Sequence, residues 1–245
     1  MAVIQGTAGA DNLLGTAADD QIYGRAGNDV IDGGAGNDTL FGGDGADRLI
    51  GGAGIDTASY ADSNIGVTLN FKTGVHTGFA AGDTFEGIEV FRGSAAADRF
   101  VSDTAAHTFE GGGGLDTLDY SGSATAITIN IDTAGRGTGV GGDAQGDVFT
   151  GISAVLGSAF NDTFTSYGTS TFQGGAGDDV YYLYGNAGVS ELVGGGYDEV
   201  RTTLTTYRLG NEVEALTYLG AAAFTGYGNA SANVITGGSG NDLLL

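Results

Sequence analysis

Aspartate recurs at a fixed interval near the start of this 245-residue chain, and chemistry could be built on that spacing. Six consecutive nonapeptides fill residues 6–59, each with glycine at its first position and aspartate at its sixth. The eighth position is aliphatic in five of them and is Ala58 in the last. The regularly spaced carboxylates are Asp11, Asp20, Asp29, Asp38, Asp47 and Asp56. Side chains of one type at a constant interval predict a shared binding role if the fold brings them together.

Each nonapeptide combines a turn with a short strand. In GGAGNDTLF (residues 33–41) the first six residues are turn formers, and glycine permits the positive φ angles of a tight loop. The last three residues are typical of a short strand that points Leu40 to one face. Two nonapeptides then make one 18-residue coil, and successive coils stack into parallel sheets. The inward residues predicted to align are Leu13, Ile31 and Leu49 on one side, with Ile22 and Leu40 on the other.

The same stacking would align the aspartates in two ladders. Carboxylates at the strand spacing of about 4.8 Å repel one another strongly unless a cation lies between them. The glycine loops also expose carbonyl oxygens that no helix absorbs. Carboxylate and carbonyl oxygens that converge on one point are the ligands of calcium. Zinc favours histidine and cysteine, and the chain has only two histidines and no cysteine.

The nonapeptide resembles the consensus G-G-x-G-x-D-x-U-x of the RTX (repeats-in-toxin) family, where U is a large apolar residue. The resemblance implies a parallel β-roll that holds several calcium ions between successive loops, through the sixth-position aspartates and loop carbonyls. The implied carbonyl ligands are those of Gly27, Gly34, Gly36, Gly43, Gly45, Gly52 and Gly54. The first two nonapeptides depart from the consensus, because Thr7 and Thr16 replace its second glycine and Ala18 its fourth.

The rest of the chain repeats on a longer scale. Residues 61–182 contain two modules about 60 residues long, in which GVTLNF (66–71) and AITINI (126–131) alternate as half-buried strands do. Residues 183–245 form an irregular, strand-rich link and closing nonapeptides. Together with the regular region 1–60, we expect one continuous all-β solenoid: a parallel β-roll of calcium-binding nonapeptides with longer strand-containing insertions.

Nonapeptides in this later part supply more candidate ligands. The aspartates at or near their sixth positions are Asp98, Asp116, Asp162, Asp179, Asp198 and Asp242. His107 holds a sixth position, and because imidazole suits calcium poorly we expect a solvent-facing loop residue at a site without metal.

Charge and composition exclude several classes of protein. Thirty acidic and eight basic residues give a net charge of −22, so the chain repels nucleic acid and opposes its own compaction until cations neutralise it. We therefore predict disorder without a divalent ion. No run of about 18 apolar residues predicts a membrane span, and the first residues do not form a signal peptide.

No catalytic motif accompanies the repeats, so the sequence predicts a protein that is not an enzyme. The RTX resemblance implies export from a Gram-negative bacterium by the type I secretion apparatus, folding on calcium outside the cell, and a scaffold role. A second interpretation is an extracellular adhesin, surface-layer or polysaccharide-binding protein, with exposed aromatic side chains stacking on sugars. A third is a polysaccharide-modifying enzyme built on a β-helix.

Overall fold

A computed structural model describes residues 1–245 and contains no α-helix. Its 27 strands, most of them only three residues long, are joined by turns that include two short 3-10 helices, Gly78–Ala80 and Gly142–Ala144. No helix has the length and apolar character that crossing a membrane requires. The predicted all-β, parallel solenoid architecture is confirmed.

Two compact units make up the chain. The first comprises Met1–Ser102, Ala106–Leu118 and Phe149–Gly151. The second comprises Asp103–Ala105, Asp119–Val148 and Ile152–Leu245. The division into residues 1–60, 61–182 and 183–245 that the sequence suggests stays a prediction.

Short strands follow one another at intervals of roughly half a coil. The first thirteen are β1 Val3–Gln5, β2 Asn12–Leu14, β3 Gln21–Ala26, β4 Val30–Ala35, β5 Thr39–Asp44, β6 Arg48–Ala53, β7 Thr57–Ser59, β8 Thr68–Asn70, β9 Thr84–Glu86, β10 Val90–Arg92, β11 Arg99–Val101, β12 Thr108–Glu110 and β13 Thr117–Asp119. The others are β14 Thr128–Ile131, β15 Arg136–Val140, β16 Val148–Thr150, β17 Ala154–Leu156, β18 Thr163–Ser166, β19 Thr171–Gln173, β20 Val180–Leu183, β21 Gly188–Val189, β22 Glu199–Thr202, β23 Thr206–Arg208, β24 Ala215–Tyr218, β25 Thr225–Tyr227, β26 Val234–Thr236 and β27 Leu243–Leu244.

In the first unit, alternate strands stack in parallel. Strands β1, β3, β5, β7, β10 and β12 form one stack, and β2, β4, β6 and β9 form another. Ile22 pairs with Leu40 in the first stack, and Ile31 pairs with Leu13 and Leu49 in the second. These partners are 18 residues apart, so one coil contains two nonapeptides and the predicted alignment is confirmed.

Within the six nonapeptides of the first unit, the core consists of eighth-position side chains. Ile22, Ile31, Leu40, Leu49 and Ala58 are fully buried. Burying one such aliphatic side chain contributes about 1.5–3 kcal/mol, whereas fixing the backbone of each residue costs about 1–2 kcal/mol. Since each 18-residue coil buries only two of them, the turns must contribute to stability as well.

The two inserted modules differ in how their strands pair. In the first unit β8 lies parallel to β11 and has a single antiparallel bridge, between Thr68 and Thr77. In the second unit β14 pairs antiparallel with β15 and parallel with β18. Leu69, Ile129 and Ile131 are buried in alternation with more exposed neighbours, as predicted for half-buried strands.

The second unit is built from the same parallel stacks with looser spacing. Strands β14, β18, β20, β22, β24 and β26 form one stack, while β17, β19 and β21 form another and β23, β25 and β27 a third. Asp162 contacts Asp179 across 17 residues, and Asp179 contacts Asp198 across 19. The irregular final segment therefore keeps its strands in register by varying the length of its turns.

His107 is half-buried rather than the fully solvent-facing loop residue that the sequence predicts. Its ring stacks on Phe71 with 4.5 Å between centroids and lies 5.5 Å from Phe109. Phe71 belongs to the 66–71 insertion and brings an aromatic surface to this turn, so the imidazole packs there.

Candidate metal sites in the aspartate ladders

The sixth-position aspartates directly precede strands and are held inside the turns. Asp11 and Asp242 are half-buried. The other ten predicted ligands are no more than 3% exposed: Asp20, Asp29, Asp38, Asp47, Asp56, Asp98, Asp116, Asp162, Asp179 and Asp198. A buried carboxylate must be hydrogen-bonded, paired with a cation or protonated, so the partners of each oxygen decide what the turn can do.

One oxygen of each buried carboxylate joins consecutive coils. The N–H group of Asp20 donates to Oδ1 of Asp38 at 2.8 Å, and that of Asp38 donates to Oδ1 of Asp56 at 2.8 Å. The N–H group of Asp29 donates to Oδ1 of Asp47 at the same distance on the other side. The two predicted ladders therefore form, and each rung is a charge-assisted hydrogen bond.

In seven turns the second oxygen, Oδ2, is buried and has no hydrogen-bond partner. These aspartates are Asp29, Asp38, Asp47, Asp56, Asp116, Asp179 and Asp198. We call such turns open turns. Leaving a buried charged group unpartnered costs more than about 1–3 kcal/mol, which is the penalty for a neutral group. Seven repetitions of the same unpartnered atom indicate sites that a cation completes.

Burial also raises the pKa of several of these carboxyl groups. It raises the pKa of Asp47 to about 7 and that of Asp116 to about 6, against a partial offset from the backbone hydrogen bonds that each accepts. It raises the pKa of Asp179 to about 8 and that of Asp198 to about 6. A bound cation would favour the ionised form of the same groups.

The first-position glycine keeps space beside the free oxygen. A Cβ atom added to Gly33 would lie 2.5 Å from Oδ2 of Asp38, and one added to Gly42 would lie 2.3 Å from Oδ2 of Asp47. Any side chain at this position would displace the carboxylate or fill the site. Five of the six first glycines make this contact, and a Cβ atom at the sixth, Gly15, would instead lie 1.9 Å from the carbonyl oxygen of Gly33.

The second position of an open turn adopts the left-handed conformation. Gly34 has a φ of +93°, and Arg25, which occupies the same position one turn earlier, has a φ of +82°. The predicted carbonyl ligands all have positive φ, from +93° to +149°: Gly27, Gly34, Gly36, Gly43, Gly45, Gly52 and Gly54. This backbone conformation is the local feature that distinguishes open turns.

Four other turns satisfy their aspartate internally, and we call them closed turns. The second position is then a hydroxyl residue: Thr7, Thr16, Ser94 or Ser158. The N–H and Oγ1 groups of Thr16 donate to Oδ2 of Asp20 at 2.7 and 2.8 Å. The N–H group of Ser158 donates to Oδ2 of Asp162 at 2.6 Å, and its hydroxyl donates to Oδ1 at 2.8 Å.

The closed turns have a hydrogen-bonded carboxylate and no positive φ at the second position. Hydrogen bonds from Ala2 and Thr16 lower the pKa of Asp20, although burial still raises that of Asp162. The predicted ligands that lie in closed turns are Asp11, Asp20, Asp98 and Asp162.

A tyrosine takes the place of the hydroxyl residue where the insertions join the ladders. The Tyr60 hydroxyl donates to Oδ2 of Asp83 at 2.8 Å, while the N–H group of Asp47 donates to Oδ1 of the same residue at 2.9 Å. In the second module, the Tyr120 hydroxyl donates to Oδ2 of Asp147 at 2.9 Å. Sequence reasoning missed both aspartates, although each stands in a Gly-Asp-x-Phe segment directly before a strand.

Glutamates outside the repeat register also join the ladders, and sequence reasoning missed these too. Oε2 of Glu89 accepts the N–H group of Asp56 at 2.9 Å. Oε2 of Glu214 accepts the N–H group of Asp198 at 2.8 Å. Glu191 is buried beside Asp179 and Asp198. Nothing in the nonapeptide pattern marks these positions, because they lie in linking segments.

The donor set of an open turn fits a hard divalent cation. It consists of a buried carboxylate oxygen and a glycine-rich loop, with no nitrogen or sulfur ligand. Calcium accepts six to eight oxygen ligands in flexible geometry, whereas magnesium requires a stricter octahedron. When bound, the ion would supply the positive charge that the stacked carboxylates lack.

Comparison with known proteins agrees with this geometry. The sequence model of the RTX calcium-binding nonapeptide repeat matches four copies in the chain, within residues 5–40, 26–58 and 225–245. The matched segments contain the open turns of Asp29, Asp38, Asp47 and Asp56.

Two curated relatives come from Rhizobium meliloti (strain 1021). The endo-1,3-1,4-beta-glycanase ExsH is 35% identical over 128 residues, which is 52% of this chain and 24% of that protein. The endo-1,3-1,4-beta-glycanase EglC is 33% identical over 124 residues, which is 50% of this chain and 23% of that protein. The similarity therefore spans about a quarter of the length of each relative.

Proposed function

We propose, from the premise that this chain carries RTX calcium-binding nonapeptide repeats, that it is an extracellular scaffold that folds when calcium fills its open turns. The observation that carries the proposal is the buried, unpartnered Oδ2 atom repeated in seven turns. Calcium neutralises the ladders and joins consecutive coils, so its binding free energy becomes folding free energy.

The charge of the chain supports a folding switch rather than passive binding. At −22 the chain repels itself, and within the six nonapeptides only two small apolar columns oppose that repulsion. Without calcium, folding would require several buried carboxylates to take up protons. The proposed order of events is therefore export of an unfolded chain from a cytoplasm poor in calcium, followed by folding in a medium rich in calcium.

Sedimentation velocity of the full chain tests this function. We expect a slow, expanded species in chelator, a compact species in millimolar calcium, and little compaction in the same concentration of magnesium. Identical sedimentation in all three buffers would contradict calcium-triggered folding.

Export is the second part of the proposal, and it predicts that the chain leaves a Gram-negative cell through a type I secretion apparatus. The full chain would be expressed with and without that apparatus, and the medium assayed for intact protein. Appearance in the medium only with the apparatus supports the proposal. Retention in the cell in both cases would remove the secretion step.

The glycanase names of the two relatives favour a second candidate, a module that holds a polysaccharide. Outward aromatic pairs could provide the surface: the rings of Tyr23 and Phe41 stack at 4.3 Å, and those of Tyr167 and Tyr184 at 4.8 Å. Affinity electrophoresis in mixed-linkage β-1,3-1,4-glucan, with and without calcium, tests this candidate. Calcium-dependent retardation supports binding, and release of reducing ends would indicate catalysis instead.

A further inference from the structure

Glu191 lies outside the nonapeptide register but shares a buried site with two ladder aspartates. One carboxylate oxygen from each of Asp179, Glu191 and Asp198 lies within 4.8 Å of the other two. The three side chains are 0%, 7% and 1% exposed, respectively. Three carboxylates are thus brought together in the interior of the second unit.

The fold holds Glu191 in this position through its neighbours. Oε1 accepts the N–H group of Gly174 at 3.0 Å and the hydroxyl of Tyr181, and Oε2 accepts the N–H group of Gly175 at 3.2 Å. The preceding residue, Ser190, donates its N–H group to the carbonyl of Phe172 at 2.9 Å, which continues the pairing of β21 with β19. The carboxylate is therefore aimed at the open turn of residues 174–179.

Hydrogen bonds leave two oxygens of this cluster unsatisfied. Oδ2 of Asp179 and Oδ2 of Asp198 are both buried without a partner. Arg201 is engaged with Glu199 at 2.6 Å and with the hydroxyl of Tyr182 at 2.8 Å. Ionised carboxylates at such separations need a positive charge among them, and a divalent cation supplies it.

The size and chemistry of the cluster fit calcium. Ligand oxygens bind calcium at about 2.3–2.6 Å, so two ligands on opposite sides of one ion are up to about 5 Å apart. Three oxygens that all lie within 4.8 Å of one another can therefore reach a single ion. All three donors are oxygen atoms.

We propose that Asp179, Glu191 and Asp198 form a composite calcium site in which Glu191, a residue outside the repeats, supplies a third carboxylate. The proposal rests on the proposed function, because it takes open turns to bind calcium. An ion bound there would hold the irregular segment 184–198 against the stacked strands of the second unit.

Glu191→Gln tests the site, with Glu110→Gln as its matched control. Glu110 undergoes the same chemical change but pairs with Arg92 on a partly exposed face of the first unit. Bound calcium per chain would be counted by equilibrium dialysis at saturation, with far-UV circular dichroism to confirm folding. We expect Glu191→Gln to lose one ion and Glu110→Gln to keep the full number.

Terbium provides a local readout of the same site. Because the Tyr181 hydroxyl contacts Glu191, a Tb³⁺ ion in the composite site would lie close enough to this ring to be excited through it. We expect Tyr181→Phe to lose much of the tyrosine-sensitised emission while binding the same number of ions. Glu191→Gln should lose that emission together with one ion.

The outcomes separate this proposal from the function on which it rests. If the unaltered chain binds neither calcium nor terbium, the proposed function fails. If it binds both but Glu191→Gln keeps every ion, the composite site is wrong and the folding scaffold stands. Should Glu191→Gln not fold, Tyr181→Phe decides, since unchanged sensitised emission would show that no ion lies beside this cluster.

Discussion

Two turns in consecutive coils of the first unit each place an aspartate in the same ladder, but the two carboxylates differ in their hydrogen-bond partners. In the closed turn of residues 15–20, Thr16 donates two hydrogen bonds to Oδ2 of Asp20. In the open turn of residues 33–38, Gly34 takes a φ of +93° and Oδ2 of Asp38 has no partner. One position, four residues before the aspartate, therefore decides whether the turn is complete by itself or needs an ion.

The comparison gives the second glycine of the repeat a specific role. A hydroxyl residue closes the turn in the way that Ser and Thr commonly bond to nearby backbone and side-chain groups, and it keeps an ordinary φ. Glycine removes that hydroxyl and adopts a positive φ at no steric cost. Arg25 shows that the conformation matters more than the residue type, because it has positive φ and Asp29 is left unpartnered.

The largest expected effect is that of pH, because burial raises the pKa of six open-turn aspartates at once: Asp38, Asp47, Asp56, Asp116, Asp179 and Asp198. Burial raises the pKa of Asp47 to about 7 and of Asp179 to about 8, from a value near 4 in the unfolded chain. The folded state then binds more protons than the unfolded state between pH 4 and 8, so without calcium its stability falls as pH rises through this window.

Calcium-free chain, prepared by dialysis, should therefore gain β-structure when the pH is lowered from about 8 to about 5. With calcium present, protons compete with the ion, so the calcium midpoint should move to higher concentration below about pH 7. Circular dichroism at a series of pH values measures both effects. The pKa of Asp20, which lies in a closed turn, is lowered, so the contribution of this residue to stability falls as the pH is lowered. A calcium midpoint independent of pH would argue against carboxylate ligands.

The next largest effects are expected from single substitutions of the aspartate in an open turn and in a closed turn. Asp38→Ala removes a carboxylate that accepts the N–H group of Asp20 and has a free oxygen, so we expect the loss of one ion and an upward shift of the calcium midpoint. Asp38→Ala also loses one charged hydrogen bond, which costs about 1.5–3 kcal/mol. Asp20→Ala loses the hydrogen bonds from Ala2 and Thr16, so it should destabilise the fold and keep the ion count. Equal ion counts for both variants would remove the distinction between open and closed turns.

Tyr60→Phe should have a smaller effect confined to stability. It removes the hydroxyl that satisfies Oδ2 of Asp83 and leaves the ring in its buried position. We expect a loss of about 1–3 kcal/mol of unfolding free energy with an unchanged number of calcium ions. Urea unfolding in saturating calcium measures it, with Tyr23→Phe on the outer face as control. A gain of one ion would show that removal of the hydroxyl has converted this turn into an open one.

The smallest expected effect is that of a substitution that converts a closed turn into an open turn. Thr7 is the single departure from G-G-x-G-x-D in residues 6–11, and it donates to Oδ2 of Asp11 at 2.6 and 2.9 Å. Thr7→Gly should lose about 1 kcal/mol of stability at low calcium and gain one ion at high calcium. Thr7→Ala loses the same hydroxyl but disfavours positive φ, so it should gain no ion. Isothermal titration calorimetry compares them, and an equal gain in both would show that the backbone conformation is irrelevant.

The nonapeptide period was sufficient to predict the stacks, the ladders and the inward column. The period predicts these features because Ile31 and Asp29 occupy fixed positions in a nine-residue unit, and 18-residue coils stack residues of the same position on one another. The distinction between Thr16 and Gly34 was also visible in the sequence, but its meaning depends on hydrogen-bond geometry that only the folded turn shows.

Contacts between the repeats and the linking segments could not be predicted in this way. Tyr60 reaches Asp83 across 23 residues, and Tyr181 reaches Glu191 across ten residues of irregular chain. Neither distance is a multiple of the repeat, so no period points to it. His107 was misplaced for the same reason, since Phe71 comes to it from an insertion.

Far-UV circular dichroism during a calcium titration tests the central claim most directly. The chain would be placed in chelator and calcium then raised to millimolar free concentration, with magnesium titrated in parallel. Seven unpartnered buried carboxylate oxygens predict a disordered spectrum in chelator and a cooperative change to β-structure in calcium. A β-sheet spectrum of equal strength in chelator and in calcium would contradict the account.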